Sequence, residues 1–213
     1  MDVQFFGANC VTITVGNARI VIDDTLAAMG GKPVARPGDI VLSTQKISDD
    51  ERLKRAVDAK LLVDRPGEYE VSDISIYGIQ ARLHMDEDKQ RTGTMYKLIA
   101  KDLRMLVTGH VFPKLKETEL EQIGAIDVMV VPVGGNGYTL DPVGAMDLIK
   151  AIEPKLVIPT YYADDKLTFE VPAQTLDQAL QALGFEVKER TGKLKLKSGD
   201  WGESTQLVVL ERS

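Results

Sequence analysis

The sequence predicts an α/β protein whose sheets are covered by helices, either an αββα sandwich or a doubly wound sheet. Three observations carry this prediction. The first half is a succession of short β-branched runs, and the second half alternates strand and helix patterns. The 213 residues also suffice to bury about 70% of the unfolded surface without disulfide or metal staples.

The elements follow in order. Val3–Phe6, Val11–Val15 and Ala18–Ile22 read as strands, the last two joined by Gly16-Asn17, a hairpin signal between β-branched runs. A loop rich in Gly and Pro (Gly30 to Gly38) leads to the apolar strand Asp39–Ser43. Ser48 with Glu51 three residues later forms a capping box, and Leu53, Ala56 and Val57 continue it at helical spacing. Leu61–Val63 is a strand ending at Arg65-Pro66-Gly67-Glu68, and Ile74–Ile79 alternates. His84 to Gly93 is a polar loop, followed by paired strands Met95–Ile99 and Leu103–Val107 around Lys101-Asp102. The second half then reads helix (116–123), strand (Ile126–Val131), glycine loop (Gly134–Gly137), helix (142–152) and strand (Leu156–Pro159). A helix near Leu176–Leu183 and strands near Phe185–Lys188, Leu194–Leu196 and Leu207–Leu210 close the chain.

Composition narrows the chemistry. The net charge of −6 argues against a general nucleic-acid or anionic-membrane binder, both of which want a basic surface. A single cysteine, Cys10, excludes an internal disulfide and a zinc site of several thiolates. With only His84 and His110, any centre built from three or more imidazoles is excluded. No basic leader opens the chain, and no apolar run approaches the ~20 residues that span a bilayer. The expectation is a cytoplasmic protein forming one domain over residues 1–213, with about 163–213 adding a helix and strands to it.

Several motifs have plain structural explanations. Cys10 between apolar neighbours reads as a buried small hydrophobe rather than a nucleophile. Lys193-x-Lys195-x-Lys197 reads as a lysine-guarded edge strand, the alternative being a basic strip for phosphates. Gly134-Gly135-Asn136-Gly137 lacks the spacing of a dinucleotide or phosphate-loop fingerprint and reads as a tight turn.

Phe5-Phe6-Gly7-Ala8-Asn9-Cys10-Val11, followed by Ile20-Val21-Ile22-Asp23, resembles the opening of the metallo-β-lactamase superfamily. In particular it resembles the small bacterial branch that includes the ascorbate-phosphate lactonase-like proteins. Pro132 to Pro142, with the glycine loop, and Lys155 to Tyr162 resemble later segments of that branch. The resemblance spans residues 3–162 and implies a four-layer αββα sandwich with its site at the edge between two sheets. It also implies hydrolysis of lactones, amides or phosphodiesters by a water held between two metals ~3.5–4 Å apart.

The family's ligand slots are largely substituted. In the loop Ser43 to Asp50, Gln45 and Ile47 stand in the first two histidine slots, Asp49 keeps the aspartate, and Asp50 replaces the third histidine. His84 falls in the later histidine slot, His110 replaces the bridging aspartate, Tyr161 replaces the final histidine, and Ala8 replaces the first-loop histidine. Isoleucine has no lone pair and a glutamine carbonyl is a weak zinc ligand, so the first metal position (Gln45, Ile47, His84) is read as dead. The second (Asp49, Asp50, His110, Tyr161) is oxygen-rich and would suit Mn²⁺ or Mg²⁺ better than zinc.

The bland readings stand beside these. Asp49 and Asp50 suit the first turn of a capped helix, His84 a solvated loop, His110 a local hydrogen-bonding role, and Tyr161 packing. The cleft candidates are therefore Gln45, Asp49, Asp50, His84, His110, Gly135, Asn136 and Tyr161. Asp49 and His110 are the catalytic candidates, and Asp49, Asp50 and His110 the metal ligands if a remnant site survives. The expected function is a degenerate member of the fold, without the dinuclear zinc site and without a cofactor, that binds a small molecule or a protein in the old cleft. The alternatives are a hydrolase using one divalent metal (Mn, Mg or Zn) or Asp49–His110 acid–base chemistry, and, less favoured by charge, a nucleic-acid-associated protein. No membrane association is expected, and a homo-oligomer is left open.

Overall fold

The computed structural model of the protein describes residues 1–51, 58–199, 201, 202 and 204–213. The expected helix over Leu53, Ala56 and Val57 lies outside the described residues, although its start is visible: the Glu51 amide donates to Ser48 Oγ at 3.3 Å.

Two separate sheets decide for the sandwich over the doubly wound alternative. The first holds β1 (Asp2–Gly7), β2 (Cys10–Val15), β3 (Ala18–Ile22), β4 (Ile40–Leu42), β5 (Leu61–Val63) and β13 (Leu194–Lys195), in the order β13-β1-β2-β3-β4-β5. The second holds β6 (Gly67–Val71), β7 (Ile74–Ala81), β8 (Gly93–Ala100), β9 (Leu103–Val107), β10 (Val128–Pro132), β11 (Leu156–Thr160), β12 (Val187–Thr191) and β14 (Gln206–Leu210). Its order is β12-β14-β11-β10-β9-β8-β7-β6. The chain after residue 163 completes both sheets, β13 lying beside β1 while β14 lies between β11 and β12.

Period-two alternation explains why the sheets stack. In β10, Val128 and Val130 face the first sheet, where Phe5, Ile13, Ile20 and Leu42 meet them in the central core. Met129 and Val131 point outward into a second core beneath three helices. These are α1 (Glu117–Ile123), α2 (Pro142–Ile152) and α3 (Leu176–Leu183), whose buried residues include Ile123, Leu148, Ile149, Leu180 and Leu183. On the outer face of the first sheet, Cys10, Val21 and Leu26 form a smaller cluster with Ala8, Tyr161 and Leu167. Burial pushes the Cys10 thiol pKa up, as for a packed hydrophobe rather than a nucleophile.

Helix ends carry the expected chemistry. Asp141 Oδ1 accepts the Gly144 amide at 2.7 Å, with Pro142 at the first helical position of α2. Thr175 and Gln178 form a capping box on α3. No described helix is long and apolar enough to cross a membrane. One strand escapes the sequence reading: Pro66-Gly67 marks a turn, yet Gly67–Val71 pairs with β7 as an edge strand guarded by Glu68 and Glu70. A 3₁₀ turn at Leu26–Met29 also interrupts the loop after β3. At the opposite edge, Leu194 and Leu196 are buried while Lys193, Lys195 and Lys197 stay exposed, as the edge-strand reading requires.

One side chain ties the two sheets together beneath the site. Tyr96, fully buried on β8, donates its hydroxyl towards the carbonyls of Ser43 (2.9 Å) and Val63 (3.1 Å) on the first sheet.

Candidate functional site

Strands β1, β3 and β4 of the first sheet and β9, β10 and β11 of the second all end at one edge of the sandwich. In parallel arrangements of this kind, ligand sites collect at the carboxyl ends of strands. The loops there turn sharply: Ala8, Asp23 and Tyr161 all have positive φ (48°, 52° and 52°). Such values in non-glycine residues carry strain that only a well-determined surrounding sustains.

The bonds that sustain it are specific. Asp23 Oδ1 accepts the Thr44 amide at 2.7 Å and Oδ2 accepts the Thr44 hydroxyl at 2.6 Å, pinning the loop that follows β4. The Thr44 carbonyl accepts from Thr94 on β8 at 2.9 Å. Gly109 meets Thr44 so closely that a Cβ there would collide with its side chain. The Tyr161 amide donates to the Ala8 carbonyl at 2.8 Å, and Gly134 lies against the Tyr161 carbonyl with no room for a side chain.

His110 sits at the centre of this edge, 8% exposed. The Thr160 hydroxyl donates to Asn9 Oδ1 at 2.9 Å, which turns Asn9 Nδ2 towards His110 Nε2 at 3.1 Å. With the Asn9 amide in this orientation Nε2 accepts, which assigns the ring proton to Nδ1. Nδ1 is itself buried without a hydrogen-bond partner. The ring stands edge-on to Tyr161 (centroids 4.5 Å, 88°) and to Tyr138 (4.9 Å, 66°). Burial, helped by His84, pushes the His110 pKa down to about 3, so the ring is neutral near pH 7. Burial also holds the Tyr161 phenol in its protonated form, with Tyr138 and Glu170 acting in the same direction.

A cavity of about 270 Å³ opens here, and its walls include Asn9, Asp23, Gln45, His110, Tyr138 and Tyr161, with Lys46 and Glu170 at exposed positions. Of the residues singled out from sequence, Gln45, His110 and Tyr161 thus share one cavity. Asp49 and Asp50 are exposed at the start of the capped segment and lie outside its lining. His84 is half-buried beside Phe112 (centroids 6.0 Å), its amide donating to the His110 carbonyl at 2.8 Å. Burial lowers its pKa, partly opposed by Asp141. Gly135 and Asn136 shape the glycine loop: the Gly135 amide bonds to the Leu140 carbonyl at 2.9 Å, and Asn136 Nδ2 bonds to the Pro172 carbonyl. Sequence reasoning passed over Asn9, Asp23, Thr160 and Tyr138. All four fall within the segments that carry the family resemblance, which was the available signal for them.

The donors present do not fit a metal pair. Among the described residues, no group of three or more His, Cys, Asp and Glu is placed to share an ion. His110 Nε2 is engaged by Asn9, both Asp23 oxygens accept from Thr44, and Ile47 offers no lone pair. Nor do Asp49 and His110 meet in one cavity as an acid–base couple would require.

Comparison with known proteins agrees with the fold. The family model of the Beta-lactamase superfamily domain matches residues 2–161. A protein of Thermococcus onnurineus, named as a metal-dependent hydrolase, is 26% identical over 192 residues, covering 76% of this chain and 84% of its own. A Thermotoga maritima structure, classed as a Zn-dependent hydrolase of the metallo-β-lactamase superfamily, superposes with a TM-score of 0.73 at 24% identity over 100% of this chain and 99% of its own. A structure from Parabacteroides distasonis, classed as a metal-dependent hydrolase, gives 0.65 at 16% identity, covering 99% and 93%.

Proposed function

Because this chain belongs to the beta-lactamase superfamily, we propose that it is a degenerate member: a protein that binds a small molecule in the former active-site cleft without the dinuclear zinc centre and without hydrolysing it. The observation that carries this reading is the Thr160–Asn9–His110 relay. It commits Nε2 of the one buried histidine in the cleft to an amide donor and leaves that imidazole neutral and enclosed. A general base or a metal ligand needs a free lone pair aimed into the site, and His110 has none to offer.

The remaining lining suits recognition. Tyr138 and Tyr161 contribute stacked rings (centroids 5.7 Å, 27°), Gln45 is half-buried on the wall, and Lys46 and Glu170 give the rim one charge of each sign. A few convergent polar groups on an aromatic wall are the ordinary make-up of a small-molecule pocket, and about 270 Å³ lies just below the usual range, as suits a small ligand.

The relatives' names favour a second reading, a hydrolase with one remnant metal. Elemental analysis of protein purified without chelator or affinity metal, before and after soaking in zinc and manganese, separates the two. The proposal expects no stoichiometric metal. About one equivalent, lost in His110→Ala and accompanied by metal-dependent ester or lactone cleavage, would overturn it.

A further inference from the structure

The cleft is open to a ligand, and its polar groups are of one kind. Among the described residues, the Gln45 side-chain amide and the Tyr138 and Tyr161 hydroxyls make no hydrogen bond, and none of these atoms is enclosed by protein. All three side chains line the cavity of about 270 Å³, whose mouth is ringed by the exposed residues Thr25, Ala28, Lys46, Thr168 and Glu170. Asp23, the carboxylate on the wall, has both oxygens accepting from Thr44. Below the opposed charges of Lys46 and Glu170, the unpaired polar atoms on offer are therefore an amide and two phenols.

The flat wall is set before any ligand arrives. Phe169 and His110 both stand edge-on to Tyr161 (centroids 5.2 and 4.5 Å, 90° and 88°). Tyr138 stacks on the same ring and is the more exposed of the pair. Gln45 is held through its backbone, which bridges to Gly93 and whose carbonyl accepts the Ser43 hydroxyl at 2.7 Å. Its side chain thus presents a donor and an acceptor side by side. Stacking on an aromatic side chain accepts any π-face, and a glutamine amide pairs with an adjacent donor and acceptor such as those on an adenine edge.

Resting on the metal-free binding reading above, we propose that the cleft ligand is a small uncharged aromatic heterocycle of the nucleobase type. Its ring stacks on Tyr138, and the adjacent donor and acceptor on its edge pair with the Gln45 amide. A carboxylate or an ammonium group would find no free counter-charge below the rim, where an unpaired charge is costly.

The test is calorimetric titration of the chelator-treated protein with three probes. These are adenine, purine (which lacks the exocyclic donor) and cyclohexanecarboxamide, an amide on a saturated ring. Adenine should bind saturably at one equivalent, and the other two about tenfold more weakly or worse. Tyr138→Ala should weaken adenine and purine alike, by about tenfold. Gln45→Leu should remove the advantage of adenine over purine while leaving purine unchanged, and that unchanged affinity shows that the variant is folded. Adenine bound no better than purine by the wild type, or an advantage that survives Gln45→Leu, would overturn the proposal. So would the absence of saturable binding to protein in which elemental analysis finds no metal, an outcome that leaves the metal-free reading standing. Binding that appears only with one equivalent of zinc would overturn both.

Discussion

The two ends of the sandwich are built from the same strands and reach opposite solutions. At the cleft end the chain leaves the strands in long loops, and side-chain hydrogen bonds stitch them together: Asp23 to Thr44, Thr160 to Asn9 to His110, Tyr161 to Ala8. At the other end tight hairpins turn back at once, little among the described residues crosses between the sheets besides Lys60–Ser72, and a larger cavity is left. A family that places two metals at the cleft end can use them to hold its loops. Here hydrogen bonds of the Asp23 carboxylate, the Asn9 amide and the Thr44 and Thr160 hydroxyls, together with aromatic rings, tie the loops, and on the proposed reading the stability of this end rests on those bonds.

At neutral pH the largest effect that would break the comparison is at Asp23. Its carboxylate is buried and takes two hydrogen bonds, so Asp23→Ala should lower unfolding stability in urea by about 3 kcal/mol. An unchanged midpoint would mean that the loop after β4 is held by something else.

The next effect is pH-dependent. The unfolded imidazole takes up a proton below about pH 6.5, whereas folded His110 resists protonation until about pH 3. Its contribution is therefore complete above the upper value and lost as pH falls through that window, by up to about 1.4 kcal/mol per pH unit. His110→Phe should flatten the stability profile between those pH values relative to the wild type. Parallel profiles would contradict a buried neutral ring.

Tyr96→Phe, which removes the hydroxyl bridging the sheets at Ser43 and Val63, should lower stability by about 2 kcal/mol, measured by the shift of the urea midpoint at constant slope. The smallest effect lies at the open end. Lys101→Gly relieves a left-handed backbone and should stabilise by up to about 1 kcal/mol in the same assay, the opposite sign from every cleft-end change.

Much of the fold was legible in the sequence because its signals are local. Val-Met-Val-Val in β10 and Leu-Val-Val-Leu in β14 alternate between two cores, and Gly16-Asn17 turns a hairpin. Strand β6 was missed because Pro66-Gly67 outweighed Glu68-Tyr69-Glu70, a pattern readable only once β7 lies beside it. The site was legible in part. Ends of parallel strands put Gln45, His110 and Tyr161 at one edge whatever their rotamers, and the structure gives them one cavity. Asp49 and Asp50 follow Gln45 closely in sequence yet face solvent, since a loop position says nothing about where the next side chains point. Asn9 lies in the opening segment that carries the resemblance, but its role was not legible there: an amide has no spacing signature, and the relay exists only once β1, β9 and β11 bring it between Thr160 and His110.

The most direct test of the central claim is a long-range ¹H–¹⁵N correlation spectrum of the His110 ring near neutral pH, recorded before and after addition of stoichiometric zinc. A neutral ring with its proton on Nδ1, unmoved by zinc, is the predicted result. An imidazolium signal, or ring nitrogens that shift with one equivalent of zinc, would contradict the account and return the cleft to metal chemistry.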